Sequence, residues 1–261
     1  MSTIRPTAVA GSFYPADATQ LHAQINELLR HAPAAGIPPK ALIVPHAGYI
    51  YSGPIAASGY ARLAPLREQI TRVVLLGPSH RVAFRGLAAS SACAFRTPFG
   101  NIPLDSDAVS ALSTLPQLRI FDEAHRLEHS LEVQLPFLQT VLHPFTLLPL
   151  VVGDASYAEV AEVLEQVWGG PETLIVISSD LSHYHGYAAA QQMDAVTSRA
   201  IESLQPERID HQHACGCTPV GGLLLAARAH GLQVEIVDLR NSGDTAGPRD
   251  NVVGYGAYVL N

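Results

Sequence analysis

Apolar residues fall along this chain in two rhythms. The first is helical: Leu21, Ile25, Leu28 and Leu29 follow Asp17 at spacings that share one helix face, with the Asp placed to cap the first turn. Residues 55–63, 131–142, 157–167, 188–204 and 220–229 continue that rhythm. The second is a run with little or no polar interruption. Residues 41–44, 73–76, 145–152 and 174–177 are short, apolar and rich in Val, Ile and Leu, as strands buried on both faces are. Residues 234–239 and 253–260 read as closing strands, the last of them antiparallel. Strands alternating with helices predict an α/β fold, a mixed, largely parallel central sheet with helices on both faces. Pro/Gly-rich stretches at 32–39 and 169–171 are short and fall between helix and strand, and no internal repeat divides the chain, so residues 1–261 read as a single domain.

Composition narrows the class. Of 261 residues, 48% are hydrophobic and 15% charged, which fits a sizeable core and not a disordered chain. The formal charge of -7, with Lys40 the only lysine, makes a poor nucleic-acid binder, because phosphate neutralisation needs grouped cations. The opening Met1-Ser-Thr-Ile-Arg-Pro leads into no apolar signal region, and no stretch reaches the roughly 18 apolar residues of a membrane span. Three cysteines, two of them in Cys215-Gly216-Cys217, suit reduced thiols better than a disulfide framework. The expectation is a cytoplasmic protein with no membrane and no nucleic-acid partner.

The twelve histidines change the picture by where they fall. His46 follows the run 41–44 in Pro45-His46-Ala47-Gly48. His80 follows 73–76 in Gly77-Pro78-Ser79-His80. Asp180 and His183 follow 174–177. In open α/β sheets the ligand crevice lies beyond the carboxyl ends of the strands, so three strands deliver metal-capable side chains to one sheet edge. Any one such histidine is more often a hydrogen-bonded loop residue; three together are harder to dismiss.

Two further clusters are weaker. His125 and His129 are four apart, as are Glu128 and Glu132, so on a helix each pair would share a face. The zinc-protease pattern needs a Glu directly after the first His, which this segment lacks. A charged, solvated helix start is an equally good reading of His125 and Glu128. Cys215-Gly216-Cys217 precedes a helix, whose dipole would lower a thiol pKa and favour ligation. A four-cysteine zinc site is excluded by arithmetic, since only Cys93 remains, and each cysteine alone is more often a small buried hydrophobe.

Taken in order, six segments resemble the Memo family over nearly the whole chain: Arg5-Pro-x-x-Val-Ala-Gly-Ser-Phe-Tyr-Pro15, Pro45-His-Ala-Gly-Tyr-Ile-Tyr-Ser-Gly53, Leu76-Gly-Pro-Ser-His80, Glu128-His-Ser-Leu-Glu-Val-Gln-Leu-Pro-Phe-Leu138, Ser178-Ser-Asp-Leu-Ser-His183 and Ala214-Cys-Gly216. That family is similar in fold to the class III extradiol dioxygenases, whose Fe(II) is held by two His and a carboxylate. The resemblance implies His46, His80 and Cys215 as metal ligands here, a departure at the third position. It places His183 at the acid/base position, with Asp180 as ligand or orienting group and His129 beside the same cleft. On the residues themselves, Tyr49 or Tyr51 could line the cleft for substrate, with plain wall packing the slightly favoured reading of both.

The resemblance makes Fe(II) the first expectation; a thiolate is softer than a carboxylate, so copper or zinc also suit the set. The resemblance further implies a small-molecule or peptide ligand and, in prokaryotes, radical SAM and AMMECR-type partner proteins. Fold does not fix function. A redox enzyme related to extradiol dioxygenases, a zinc hydrolase on the same ligands, and a non-catalytic peptide- or metal-binding protein therefore all stand at this stage.

Overall fold

The computed structural model of the chain describes residues 3–33 and 35–261. Strand β1 (Ile4–Arg5) leads to helix α1 (Ala18–His31), capped as expected by Asp17, whose carboxylate accepts from Gln20 N at 2.9 Å. Strand β2 (Ala41–Val44), helix α2 (Tyr49–Tyr60) and strand β3 (Arg72–Pro78) follow. Next come β4 (Leu87–Ala89), β5 (Ala94–Thr97), β6 (Gly100–Pro103), α3 (Ser106–Leu112), β7 (Leu118–Ile120) and α4 (Asp122–Arg126). The remainder runs α5 (Leu135–Val141), β8 (Thr146–Val152), α6 (Tyr157–Val167), β9 (Thr173–Ser178), β10 (His183–His185), α7 (Tyr187–Glu202), α8 (Cys217–Ala229), β11 (Val234–Asn241) and β12 (Val252–Leu260).

Among the described residues the main sheet has nine strands, ordered β10-β12-β2-β9-β3-β8-β4-β7, with β11 paired to β12. The central pairs β2–β9, β9–β3 and β3–β8 are parallel, and β12 joins β2 antiparallel. The continuous apolar runs now have their reason. Successive side chains of a strand point to opposite faces. Leu42, Val73, Leu75 and Val176 pack on one side with Leu21 and Ile25 of α1, Ile55 of α2 and Phe137 of α5. Ile43, Val74, Leu76 and Ile177 pack on the other with Val160 and Leu164 of α6 and Val220 and Leu224 of α8. Neither face meets water, so neither carries polar alternation.

Two elements depart from the sequence reading. Helix α2 begins at Tyr49, six residues before the expected start at 55, and is buried nearly all round. An element wrapped in protein has no polar stripe to mark its ends. Its small residues permit the close fit: a Cβ on Gly59 would meet Val44 Cγ1 at 2.8 Å. Helix α4, in contrast, stops at Arg126, so His125 and His129 do not share a helix face, nor do Glu128 and Glu132. That expectation is corrected below. No helix of the described residues is long and apolar enough to cross a membrane.

Candidate metal centre

The parallel register aligns the carboxyl ends of three adjacent strands. Val44 of β2 pairs with Ser178 of β9, and Leu76 of β3 pairs with Ile177. His46, His80 and Asp180 each lie two residues past their strand's last residue, at 44, 78 and 178. Cys215 joins them from the turn before α8. That turn packs tightly on the end of β9: Gly216 N donates to Ser179 Oγ at 3.0 Å, and a Cβ on Gly216 would lie 2.7 Å from Ser179 Cβ. One ligand atom from each of His46, His80 and Cys215 falls within 4.8 Å of the others. Cys215 Sγ is 3.3 Å from His46 Nε2.

Buried hydrogen bonds decide which imidazole nitrogen of His46 is free. Ser178 Oγ donates its single proton to Ser130 O at 2.6 Å and accepts from Gln134 Nε2 at 2.7 Å. Gln134 is itself fixed, its Nε2 donating to Pro45 O and its Oε1 accepting from Tyr60. His46 Nδ1, 2.8 Å from Ser178 Oγ, must therefore carry the hydrogen, which leaves the Nε2 lone pair facing Cys215. Burial first, then the neighbouring His80 and His129 rings, hold the His46 pKa well below its usual value, so the ring stays neutral.

Glu128 does the same for His80. Its carboxylate accepts from His80 Nδ1 at 2.9 Å, from His80 N at 2.6 Å, and from the backbone amides of His129 and Ser130, both at 2.9 Å. Burial pushes Glu128 upward, but the hydrogen bonds from His80 and these amides outweigh it and bring its pKa down to about 2. An ionised carboxylate only accepts, so His80 Nδ1 is protonated and Nε2 carries the lone pair. Carboxylate–imidazole–metal relays of this kind orient metal ligands. Glu128→Gln should weaken metal binding by about 10- to 100-fold, measured by chelator competition, with near-native secondary structure.

Cys215 differs from its expectation. Helix α8 starts two residues later, and burial, reinforced by Asp180, pushes the thiol pKa up instead of down. Desolvation wins over the helix dipole, so without a metal the sulfur is a thiol, and any cation held there would have to displace its proton. Cys217 lies elsewhere: its Sγ sits 3.2 Å from His211 Nδ1, and its side chain packs in the core beside α8.

The other expected residues divide. Asp180 is buried, and its Oδ1 accepts from His46 N at 2.7 Å, the geometry of an orienting group; burial raises its pKa. His183 Nδ1 donates to Leu181 O at 2.8 Å, so its Nε2 is free to accept a proton. His129 stacks on His80 with centroids 4.5 Å apart, and its Nδ1 is buried with no hydrogen-bond partner. His80, Glu128 and His129 also gather within 4.8 Å, but the Glu128 oxygens are already taken by the four donors named above.

Tyr51 lines the cleft, whereas Tyr49 does not. The Tyr49 ring is buried between Tyr14 and Phe137 and its hydroxyl donates to Val133 O at 2.7 Å, so it is a core residue and the expectation of substrate contact is corrected. His125 lies away from the cleft, with Nε2 2.9 Å from Ala88 O and burial lowering its pKa to about 4. Glu128, Ser178 and Gln134 were not singled out as site residues from sequence. The near-even choice left open for Glu128 is decided in favour of the site.

His46, His80 and Cys215 meet in a cleft of about 1100 Å³, whose walls include Phe13, Tyr51, His129, Asp180, His183 and Tyr255. The model of the Memo-like proteins matches residues 5–259. A MEMO1 family protein of Aquifex aeolicus is 39% identical over 264 residues, covering 97% of each chain. One of Methanopyrus kandleri is 34% identical, covering 98% of each. A solved structure of an uncharacterized protein from Escherichia coli K12 superposes with a TM-score of 0.53 at 14% identity, over 84% of this chain and 98% of that one, a likeness of fold. With the family model spanning residues 5–259 and relatives matched along almost their full length, this chain belongs to the Memo family.

Proposed function

We propose that the chain is a metal-dependent redox enzyme that holds Fe(II) on His46, His80 and Cys215 and acts on a small chelating molecule in the adjoining cleft. One observation carries this reading. Two imidazoles and one thiol, from segments far apart in sequence, bring ligand atoms within 4.8 Å of one another, and each imidazole's other nitrogen is tied off by a buried partner. Such preorganisation has a cost in buried polar groups that a merely structural loop cluster would not need.

The bound metal would supply Lewis acidity and redox chemistry at open coordination positions. The chain's residues do the rest. His183 Nε2, its lone pair free, takes or returns a proton at the ligand. Asp180 fixes the backbone of His46, and the half-buried His129 ring, stacked on His80, lines the same space. Phe13, Tyr51 and Tyr255 line the walls and limit water.

The test is metal analysis of protein purified without added metal, followed by anaerobic Fe(II) loading and oxygen-uptake measurements with a panel of catechols. One equivalent of iron with uptake that disappears in His183→Ala is the expected result. Stoichiometric metal with no uptake across the panel would overturn the redox assignment, and zinc in its place would favour hydrolysis.

A further inference from the structure

Tyr184 is built unlike the rest of the cleft wall. Its backbone adopts φ +63°, the left-handed region that side chains larger than glycine enter at a cost; among the described residues Leu204 is the other non-glycine case. The pairing of β10 with β12 shifts register between His183 and His185. In a regular strand Tyr184 would point away from its two neighbours; at this irregularity all three line the cleft. The ring meets His183 edge-on, with centroids 5.7 Å apart, yet Tyr184 is 75% exposed. Core packing therefore does not explain a strained backbone that holds an aromatic ring at the cleft mouth, and such strain gathers where a side chain must be aimed.

Charge supplies a second observation. Among the described residues no lysine or arginine lines the cleft, and Asp180 is its carboxylate. On the reading proposed above, the charge of a divalent ion is offset by the Cys215 thiolate and the Asp180 carboxylate, so no excess positive charge is left to hold an anionic group beyond the chelating head. A phosphate or sulfonate further out would find no lysine or arginine among the lining residues to pair with.

We infer that Tyr184 is the specificity-determining residue of the cleft, meeting the ring of an uncharged aromatic ligand whose chelating head reaches the metal centre. This rests on the metal-centre reading.

The experiment uses the full chain loaded with Zn(II), which avoids redox turnover, and calorimetric titration with benzohydroxamate and acetohydroxamate. The two share a chelating head and differ by the ring. Wild type should prefer benzohydroxamate by about three- to tenfold, the range of one good aromatic contact. Tyr184→Gly should abolish the preference while leaving the thermal midpoint unchanged or higher, because glycine relieves the backbone. Tyr184→Asn tolerates the same φ without a ring and should behave alike. Catechol should bind more tightly than its 3,5-disulfonate.

Variants that keep the ring preference overturn the role of Tyr184 and leave the metal centre standing. A disulfonate that binds as tightly as catechol overturns the uncharged-ligand assignment. If the chain takes up no zinc, the metal-centre reading and this inference fall together; zinc uptake with neither hydroxamate bound overturns this inference alone.

Discussion

Glu132→Gln should destabilise the protein by about 3–5 kcal/mol, the usual cost of stripping one partner from a buried ion pair. Glu132 is fully buried and pairs with Arg5 at 2.5 Å. Its oxygens also accept from Ala8 N, Val9 N and the Tyr14 hydroxyl at 2.7–2.9 Å. Arg5 Nε and Nη2 donate to His125 O and Glu128 O. Glutamine keeps the volume but leaves a buried guanidinium without its counter-charge and turns an N–H group toward donors. In a chain of this size the loss corresponds to a fall in Tm of roughly 10 °C. Urea unfolding of wild type, Glu132→Gln, Arg5→Met and the double variant would measure it. The double should lose clearly less than the sum of the singles, because the two residues share one network. Single losses below about 1 kcal/mol would mean that the pair is not the clamp it looks like.

That clamp has a bearing on the site. Glu132 stitches the segment from Ala8 to Tyr14 onto the stretch that follows α4. The first contributes Ser12 and Phe13 to the cleft wall, Phe13 lying 4.9 Å from His129; the second carries Glu128 and His129. A single buried carboxylate thus couples the fold's stability to the orientation of His80.

Much of this arrangement was readable from residue order. Continuous apolar runs marked β2, β3, β8 and β9, and polar residues just past three of them fell at one sheet edge because parallel strands end together there. Short strands such as β4 and β7, three residues each, leave no periodicity to read. The second layer of the site was hidden for another reason. Glu128 meets His80 across 48 positions, and His46 meets Ser178 across 132, so tertiary folding alone sets those distances. Tyr49 and Tyr51 show the limit at its finest. Two residues apart at the start of α2, they are alike in type, yet one turns into the core and the other into the cleft. A helix that is apolar all round gives no hint of which.

Cys215→Ala should abolish stoichiometric metal binding, whereas Cys217→Ala should keep it nearly intact. The asymmetry follows from geometry: Cys215 Sγ shares its space with His46 and His80, while Cys217 packs against His211 and the core around α8. Equal losses would mean that the ligand has been misassigned. A pH series sharpens the test. Burial and Asp180 raise the Cys215 pKa, so the metal-free sulfur is protonated throughout the neutral range and each binding event releases that proton. The sign is fixed: acid opposes binding. Between pH 7 and 8.5, where the buried His46 is already neutral, apparent affinity should rise about tenfold per pH unit for one displaced proton. The residual weak binding of Cys215→Ala should be nearly flat over the same range. A variant that keeps the wild-type slope would show that the proton leaves some other group, and the thiol would then have no part in holding the ion.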